Sequence, residues 1–260
     1  MSLLMVSNVS KSYRLEHSWF KKSKQIKALQ NVSLTLEHGT SIGIVGRSGS
    51  GKSTLAKIIM GIEKADQGHI LFKGIPFTNL DKKSFIKMRR HVQMVFQDPW
   101  SSLNPRMTIG RSIAEPLENY FQLSAIEKRE EVNRLLEAVG LMATDADKYP
   151  SQFSGGQLQR INIARAISLK PDLLVLDEVV SSLDTVSQVQ VLELLLKLQK
   201  QYNLSYLFIS HDLQAVTYIS DHFIVMDEGR IVEEVFGLQH TENLERSLSK
   251  NLVSSVPLAH

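Results

Sequence analysis

The residues with the most specific chemistry form one run, Gly46-Arg47-Ser48-Gly49-Ser50-Gly51-Lys52-Ser53-Thr54. It satisfies the phosphate-cradling pattern G-x-x-x-x-G-K-[ST] without a gap or a substitution. Glycines let the backbone adopt conformations that a Cβ forbids, so successive N–H groups turn inward around an anion. Lys52 adds a mobile positive charge for the outer phosphates of a nucleotide, and the Ser53 hydroxyl suits Mg2+. A helix from residue 54 to about residue 60 would aim the positive end of its dipole at the same phosphates.

Two more groups of residues extend this chemistry. Leu173-Leu174-Val175-Leu176-Asp177-Glu178 is an apolar run that ends in two acids. A carboxylate at the tip of a buried strand beside a phosphate loop suits a grip on Mg2+ through its bound water, which assigns Asp177. Glu178 then accepts a proton from, or orients, the water that attacks the γ-phosphate. Phe153-Ser154-Gly155-Gly156-Gln157 places a serine and two glycines at a helix start, a second nest for an anion. A chain with one phosphate loop has no obvious use for two nests.

These residues need positioning elements. Ser41-Ile42-Gly43-Ile44-Val45 reads as a buried strand that leads into the loop. Residues 3–13 read as an edge strand ending in an aromatic, Val32-Ser33-Leu34-Thr35-Leu36 as a strand reaching the turn His38-Gly39, and residues 68–74 as another strand. Together they predict a small antiparallel sheet beside a parallel core. From Asp98 to about Tyr149 the chain is polar, proline-punctuated and helical. One helix there, residues 123–139, places Ile126, Val132, Leu135, Leu136 and Val139 on a single face, and Gly140 stops it. A second runs over 156–169, ahead of Lys170-Pro171. The core resumes at Leu173, Asp184 caps a long helix through Gln199, and residues 204–209 form a further strand. A helix over 241–253 is expected from Leu244, Leu248 and Leu252. The stretch 14–24 is basic with two adjacent aromatics, Trp19 and Phe20; it is either a solvated loop or a patch that touches lipid headgroups or a membrane partner.

Bulk properties narrow the class. The 260 residues, 43% hydrophobic and 22% charged, suit one large domain or a domain with an inserted subdomain. A net charge of +3 argues against a nucleic-acid binder driven by bulk charge. Without cysteine there are no disulfides and no thiolate metal site, which suits a reducing compartment. Met1-Ser2-Leu3-Leu4-Met5-Val6 lacks the features of a secretion signal, and no apolar run is long enough to span a bilayer. The chain is expected to be soluble and to reach a membrane only through a partner.

With Ser154-Gly155-Gly156-Gln157 the sequence resembles the ATP-binding-cassette ATPases over nearly its entire length, roughly residues 3–235. In that family this signature closes over ATP held by another subunit. The resemblance implies an α/β phosphate-loop NTPase fold: a RecA-like core with a mixed, largely parallel sheet, a small antiparallel β subdomain, and an inserted helical subdomain over about 98–160. The ATPase domain covers 1–237 and a short tail 238–260. The same likeness assigns Tyr13 to stacking on adenine, with core packing as its alternative role. Gln97 senses Mg2+ and water and links to the helical subdomain. Ser181-Ser182-Leu183-Asp184 speaks across the dimer, and His211, after the strand Tyr206-Leu207-Phe208-Ile209-Ser210, contacts the γ-phosphate. His17, His38, His69, His91 and His222 are taken as surface or packing residues. Phe153 stands where the signature usually has Leu, and Val179-Val180 replaces the commoner Pro-Thr, which leaves that turn less rigid.

The segment Phe96-Gln97-Asp98-Pro99-Trp100-Ser101-Ser102-Leu103-Asn104-Pro105-Arg106-Met107-Thr108-Ile109 is similar to the peptide- and nickel-importer branch, where this region meets a membrane subunit. Trp100 and Leu103 are its expected apolar anchors, and Pro99 and Pro105 fix the loop. Peptide importers of the branch usually carry a longer C-terminal extension with a cysteine cluster, which is missing here. The resemblance therefore points to nickel, cobalt or metal–chelate import, with di- or oligopeptide import as the alternative. It implies a second, non-identical ATPase chain, two permeases contacted through 97–109, an extracellular binding protein, and a place on the cytoplasmic face of a bacterial membrane. A soluble cassette acting on nucleic acid or ribosomes usually has two cassettes or a coiled-coil insertion, and neither is present. Intact Lys52, Glu178 and His211 speak against a non-catalytic regulatory partner.

Overall fold

Strand β1, Ser2–Leu15, is the hub of the first of two units, which comprises residues 1–82 and 207–260. The computed structural model describes residues 2–15, 24–77 and 80–236. Residues 16–23 of the basic stretch, the tail from 237 and the expected helix over 241–253 lie outside the described residues. On one side β1 pairs antiparallel with β2, Lys24–Glu37. On the other it pairs antiparallel with β4, Gln67–Phe72, which continues to β5, Ile75–Pro76. The sequence predicts an edge strand here, and the structure corrects that: β1 is flanked on both sides. Its Leu3, Leu4, Val6 and Val9 are buried, which is the pattern of a strand inside a sheet.

The phosphate-loop run follows β3, Ser41–Gly46, every residue of which is buried. β3 runs parallel to β9, His222–Asp227, with Ile42 opposite His222 and Gly46 opposite Met226. β10, Arg230–Phe236, lies antiparallel on β9, and β8, Ser205–Ser210, flanks β3, so the order is β10-β9-β3-β8. The continuous apolar character of β3 and β9 reflects burial on both faces. Helix α1, Lys52–Ile59, packs Leu55, Ala56, Ile58 and Ile59 inward. Truncating a core leucine such as Leu55 to alanine costs about 2–5 kcal/mol.

The second unit, residues 83–206, contains β6, Val92–Val95, in parallel register with β7, Leu173–Asp177. Helix α2 spans Lys82–Arg89 just before β6. Helices α3, Ile109–Tyr120, α4, Ala125–Ala138, and α5, Gly155–Ile167, intervene between β6 and β7, and α6, Thr185–Tyr202, follows β7. Each of α3 to α6 begins at a side chain that satisfies an orphan N–H of the first turn. Thr108 accepts from Arg111, Ser124 from Glu127 in a reciprocal capping box, Ser154 from Gln157 and Asp184 from Ser187. Along α4, Val132, Leu135 and Leu136 are buried as their spacing predicts, but Ile126 is 73% exposed. Ile126 sits in the first turn next to the cap, where helical period alone does not decide burial. Helix α7, Leu213–Ile219, completes the first unit. Among the described residues no helix is long and apolar enough to cross a membrane.

Candidate functional site

The strand–loop–helix unit β3–α1 builds a cradle from residues 46–54. Gly51 stands at φ +104, and a Cβ there would lie 2.4 Å from the Ala28 carbonyl oxygen, so only glycine fits. That geometry turns the chain into α1 without a side-chain cap, and no acid occupies the first turn. The first N–H groups of α1 therefore face outward with the positive dipole end intact, as an anion site requires. Nothing lies within 4 Å of a Cβ built on Gly49, so the rim of the loop is open. Lys52 is buried, and its Nζ donates to the carbonyls of Gly46 at 2.7 Å and Arg47 at 3.0 Å. The ammonium is thus folded back over the loop. Ser50 Oγ is buried without a hydrogen-bond partner, an orphaned donor inside the cradle. Ser53 is exposed and Thr54 half-buried on the first turn. Uncapped N–H groups, a held cation and an orphaned hydroxyl fit a polyphosphate.

Tyr13, near the end of β1, is 36% exposed. Its hydroxyl donates to Glu63, Lys57 lies 3.8 Å from the same carboxylate, and the Lys11 ammonium is 5.7 Å from the ring centre. Burial first, and then the Glu63 hydrogen bond, raise the phenol pKa, against a lowering hydrogen bond with Thr54. The ring is therefore pinned at its tip, beside the first turn of α1, with part of its face open. Lys11 and Ser12 are in turn tied to Asp66, whose carboxyl the Ser12 N–H holds below its ordinary pKa. His211 follows β8 and is exposed. Asp212 beside it caps α7 through the Gln214 and Ala215 N–H groups.

The second unit collects the acids. Asp177 ends β7, half-buried, and Glu178 follows at φ +50. A non-glycine residue there costs about 1–3 kcal/mol and persists where its surroundings fix it. Gln97 Nε2 donates to Glu178 Oε2 at 3.1 Å and to Ser181 Oγ at 3.2 Å. Ser181 in turn gives both its N–H and its hydroxyl to the Glu178 carbonyl. Val179 and Val180 are fully buried and Leu183 N–H donates to the Val180 carbonyl, so apolar burial anchors this turn where proline is usual. Asp184 caps α6 with both oxygens: Ser187 donates its N–H at 3.0 Å and its hydroxyl at 2.7 Å. The hydroxyl, then the N–H, hold that carboxyl below its usual range.

Ser154 begins α5. Its Oγ accepts from the Gln157 N–H at 3.3 Å while Gln157 Oε1 accepts from the Ser154 N–H at 2.9 Å. The box satisfies those two donors and leaves the Gly155 and Gly156 N–H groups at an uncluttered helix start. A Cβ on Gly156 would press within 3.1 Å of Ser187, so the glycine permits the close approach of α6. An open groove of about 390 Å³ lies here, bordered by Ser154, Gly156, Gln157, Arg160 and Ser187.

Comparison with known proteins decides what these elements are. The ABC transporter family profile matches residues 29–181. The chain is 44% identical over 255 residues to the dipeptide transport ATP-binding protein DppF of Haemophilus influenzae, which covers 98% of this chain and 78% of that protein. The chain belongs to the ABC transporter family. It is also 44% identical over 260 residues to the nickel import ATP-binding protein NikE of Rhodospirillum rubrum, covering 99% of this chain and 94% of that one. Among solved structures, a dimeric ATP-binding cassette in a post-hydrolysis state, bound to ADP and Pi, matches with a TM-score of 0.79 at 29% identity, over 90% of this chain and 98% of that one. The fold is that of the ABC ATPases, and the chain is an ATP-binding ABC ATPase.

Within this ABC ATPase, the segment 97–109 differs from expectation at one anchor. Trp100 is 50% exposed, but Leu103 is only 4% exposed and belongs to the core. Its N–H donates to the Trp100 carbonyl, which turns it inward. Phe96, not singled out as an anchor in the sequence, is exposed beside Gln97. Glu63 under Tyr13 was also invisible, because nothing local links it to a residue 50 positions earlier.

Proposed function

We propose that this ABC ATPase is the ATP-hydrolysing motor subunit of a bacterial importer for nickel, cobalt or other metal ions or metal–chelate complexes. The observation that supports the hydrolytic part is the Gln97 amide on the Glu178 carboxylate, which brings together the side chains read as the water-positioning group and the base. In this reading residues 46–54 hold the phosphates and Tyr13 stacks on adenine. Glu178 takes a proton from the water that attacks the γ-phosphorus. Lys52 and the loop N–H groups take up the negative charge that develops as the bond to ADP breaks. His211 contacts the γ-phosphate. When bound, Mg2+ neutralises phosphate charge, and Ser53, Gln97 and Asp177 are the side chains proposed to hold it. Their hydroxyl, carboxamide and carboxylate oxygens are the hard donors that Mg2+ prefers.

Ser154, Gly155, Gly156 and Gln157, together with Asp184, would meet ATP held by a second cassette, a non-identical paralogue. Two permeases would dock on 97–109, with an extracellular binding protein delivering cargo and the ATPase lying peripherally on the cytoplasmic face. No nucleic acid is involved. The likeness to NikE along 94% of its length favours metal cargo, and the equal identity to DppF supports peptide import as the second reading. Uptake in a deletion strain separates them. Loss of radiolabelled nickel uptake with normal peptide uptake is expected; the reverse outcome would assign the protein to peptides.

A further inference from the structure

Helix α5 is bonded along its length to the segment that contains Gln97. Gln159, Asn162 and Arg165 are spaced by three and share one face of the helix. They donate to three carbonyls that are also spaced by three. Gln159 Nε2 reaches the Phe96 oxygen at 3.5 Å, Asn162 Nδ2 the Pro99 oxygen at 3.0 Å, and Arg165 Nη1 the Ser102 oxygen at 2.8 Å. The rungs tighten away from Gln97. At the tight end, Arg165 Nη2 also binds Glu115 of α3 at 2.7 Å. At the loose end, Gln159 is fully buried and its Oε1 has no hydrogen-bond partner.

Holding a segment against a helix does not need such an array, since apolar side chains would do so at no polar cost. Matched donors and carbonyls fix register instead, because any slip leaves buried polar groups unpaired. We propose that Asn162 and Arg165 are positioning residues that clamp residues 99–102 to α5, and that Gln159 is a compliant rung that lets Gln97 move against that clamp. A shift of the N-terminus of α5 then carries Trp100 with it, while Gln97 adjusts separately at Glu178. The link has a use because Ser154–Gln157 is read as closing over the partner's nucleotide and 97–109 as the permease contact, so it rests on the proposed function.

Trp100 reports the coupling. In a Trp19→Phe/Glu178→Gln chain it is the sole tryptophan, the sequence having two. MgATP is expected to shift its emission as this chain closes on a candidate second cassette made free of tryptophan. Asn162→Asp removes the donor without changing shape, and Arg165→Met removes the second. Adding both is expected to leave MgATP affinity and dimer yield within about twofold, while the Trp100 response falls at least about fivefold. Arg165→Lys in place of Arg165→Met, with Asn162 retained, is expected to keep the response. An undiminished response in the Asp/Met variant overturns the clamp. Amide exchange without nucleotide tests it independently. Residues 100–103 should exchange at least about tenfold faster in that variant with α5 protection unchanged. Unchanged exchange there overturns the clamp even where the parent chain fails to bind MgATP, a failure that would count against the proposed function.

Discussion

The amide of Gln97 and the carboxylate of Glu178, 81 positions apart, meet at 3.1 Å. The contact joins the second residue after β6 to the first residue after β7, the two parallel strands whose register sets where both segments emerge. It directs one carboxylate oxygen and holds Glu178 against the cost of its left-handed backbone. Gln97→Ala is expected to leave ATP affinity nearly unchanged and to lower turnover by about 10- to 100-fold. Equilibrium binding and steady-state phosphate release measure the two effects separately. Equal losses in both would mean that Gln97 serves binding instead.

Gly51→Ala tests the cradle. The substitution meets both a φ of +104 and a carbonyl oxygen 2.4 Å from the new Cβ. Strain of this kind costs about 1–3 kcal/mol before the clash is counted. Chemical denaturation should show that loss, and ATP binding should disappear with the loop geometry. Gly49→Ala, at an open position, should be the milder change in space though not in backbone strain. A Gly51→Ala protein with parent stability would contradict the account of the loop.

The loop was legible in the sequence because its requirements are local. A pattern of glycines and Lys52 fixes the turn, the helix start and the charge within nine residues. Ser154 and Asp184 were legible as helix starts for the same reason. What failed depends on distant chain. β1 looked like an edge strand because β4, its second neighbour, pairs with it from some sixty positions away. Leu103 looked like an anchor because an apolar residue in a polar segment reads the same whether it faces outward or inward. Gln159, Asn162 and Arg165 read as scattered polar residues until Phe96, Pro99 and Ser102 supply their partners.

Tyr13 separates ring from hydroxyl. Tyr13→Phe loses the bond to Glu63 and keeps the face, so nucleotide affinity should fall only a fewfold. Tyr13→Ala removes the stacking surface, and base–aromatic stacking is worth about 1–3 kcal/mol, or about 5- to 150-fold in Kd. Titration with a fluorescent ATP analogue distinguishes them. Equal affinity in all three proteins would return Tyr13 to a packing role.

His222 gives a pH dependence. Burial lowers its pKa from the ordinary 6.5, opposed by Glu234 and Asp221, and its ring stacks on Phe236 at 5.0 Å. The folded protein binds this proton less well than the unfolded chain. The stability His222 contributes is therefore present above 6.5 and is lost as pH falls through the lower folded value. Between about pH 7.5 and about pH 5.5 the melting temperature of His222→Phe should drop less than that of the parent. Parallel curves would show that His222 does not titrate as its burial implies.

The central claim is that Glu178 drives hydrolysis at a nucleotide site this chain supplies. It is tested most directly by Mg-dependent ATP hydrolysis of the Glu178→Gln protein beside the parent, alone and mixed with a candidate second cassette. Turnover is predicted to fall by about 10²- to 10⁴-fold, with ATP binding intact and a closed dimer accumulating. Full ATPase activity in Glu178→Gln would contradict the account.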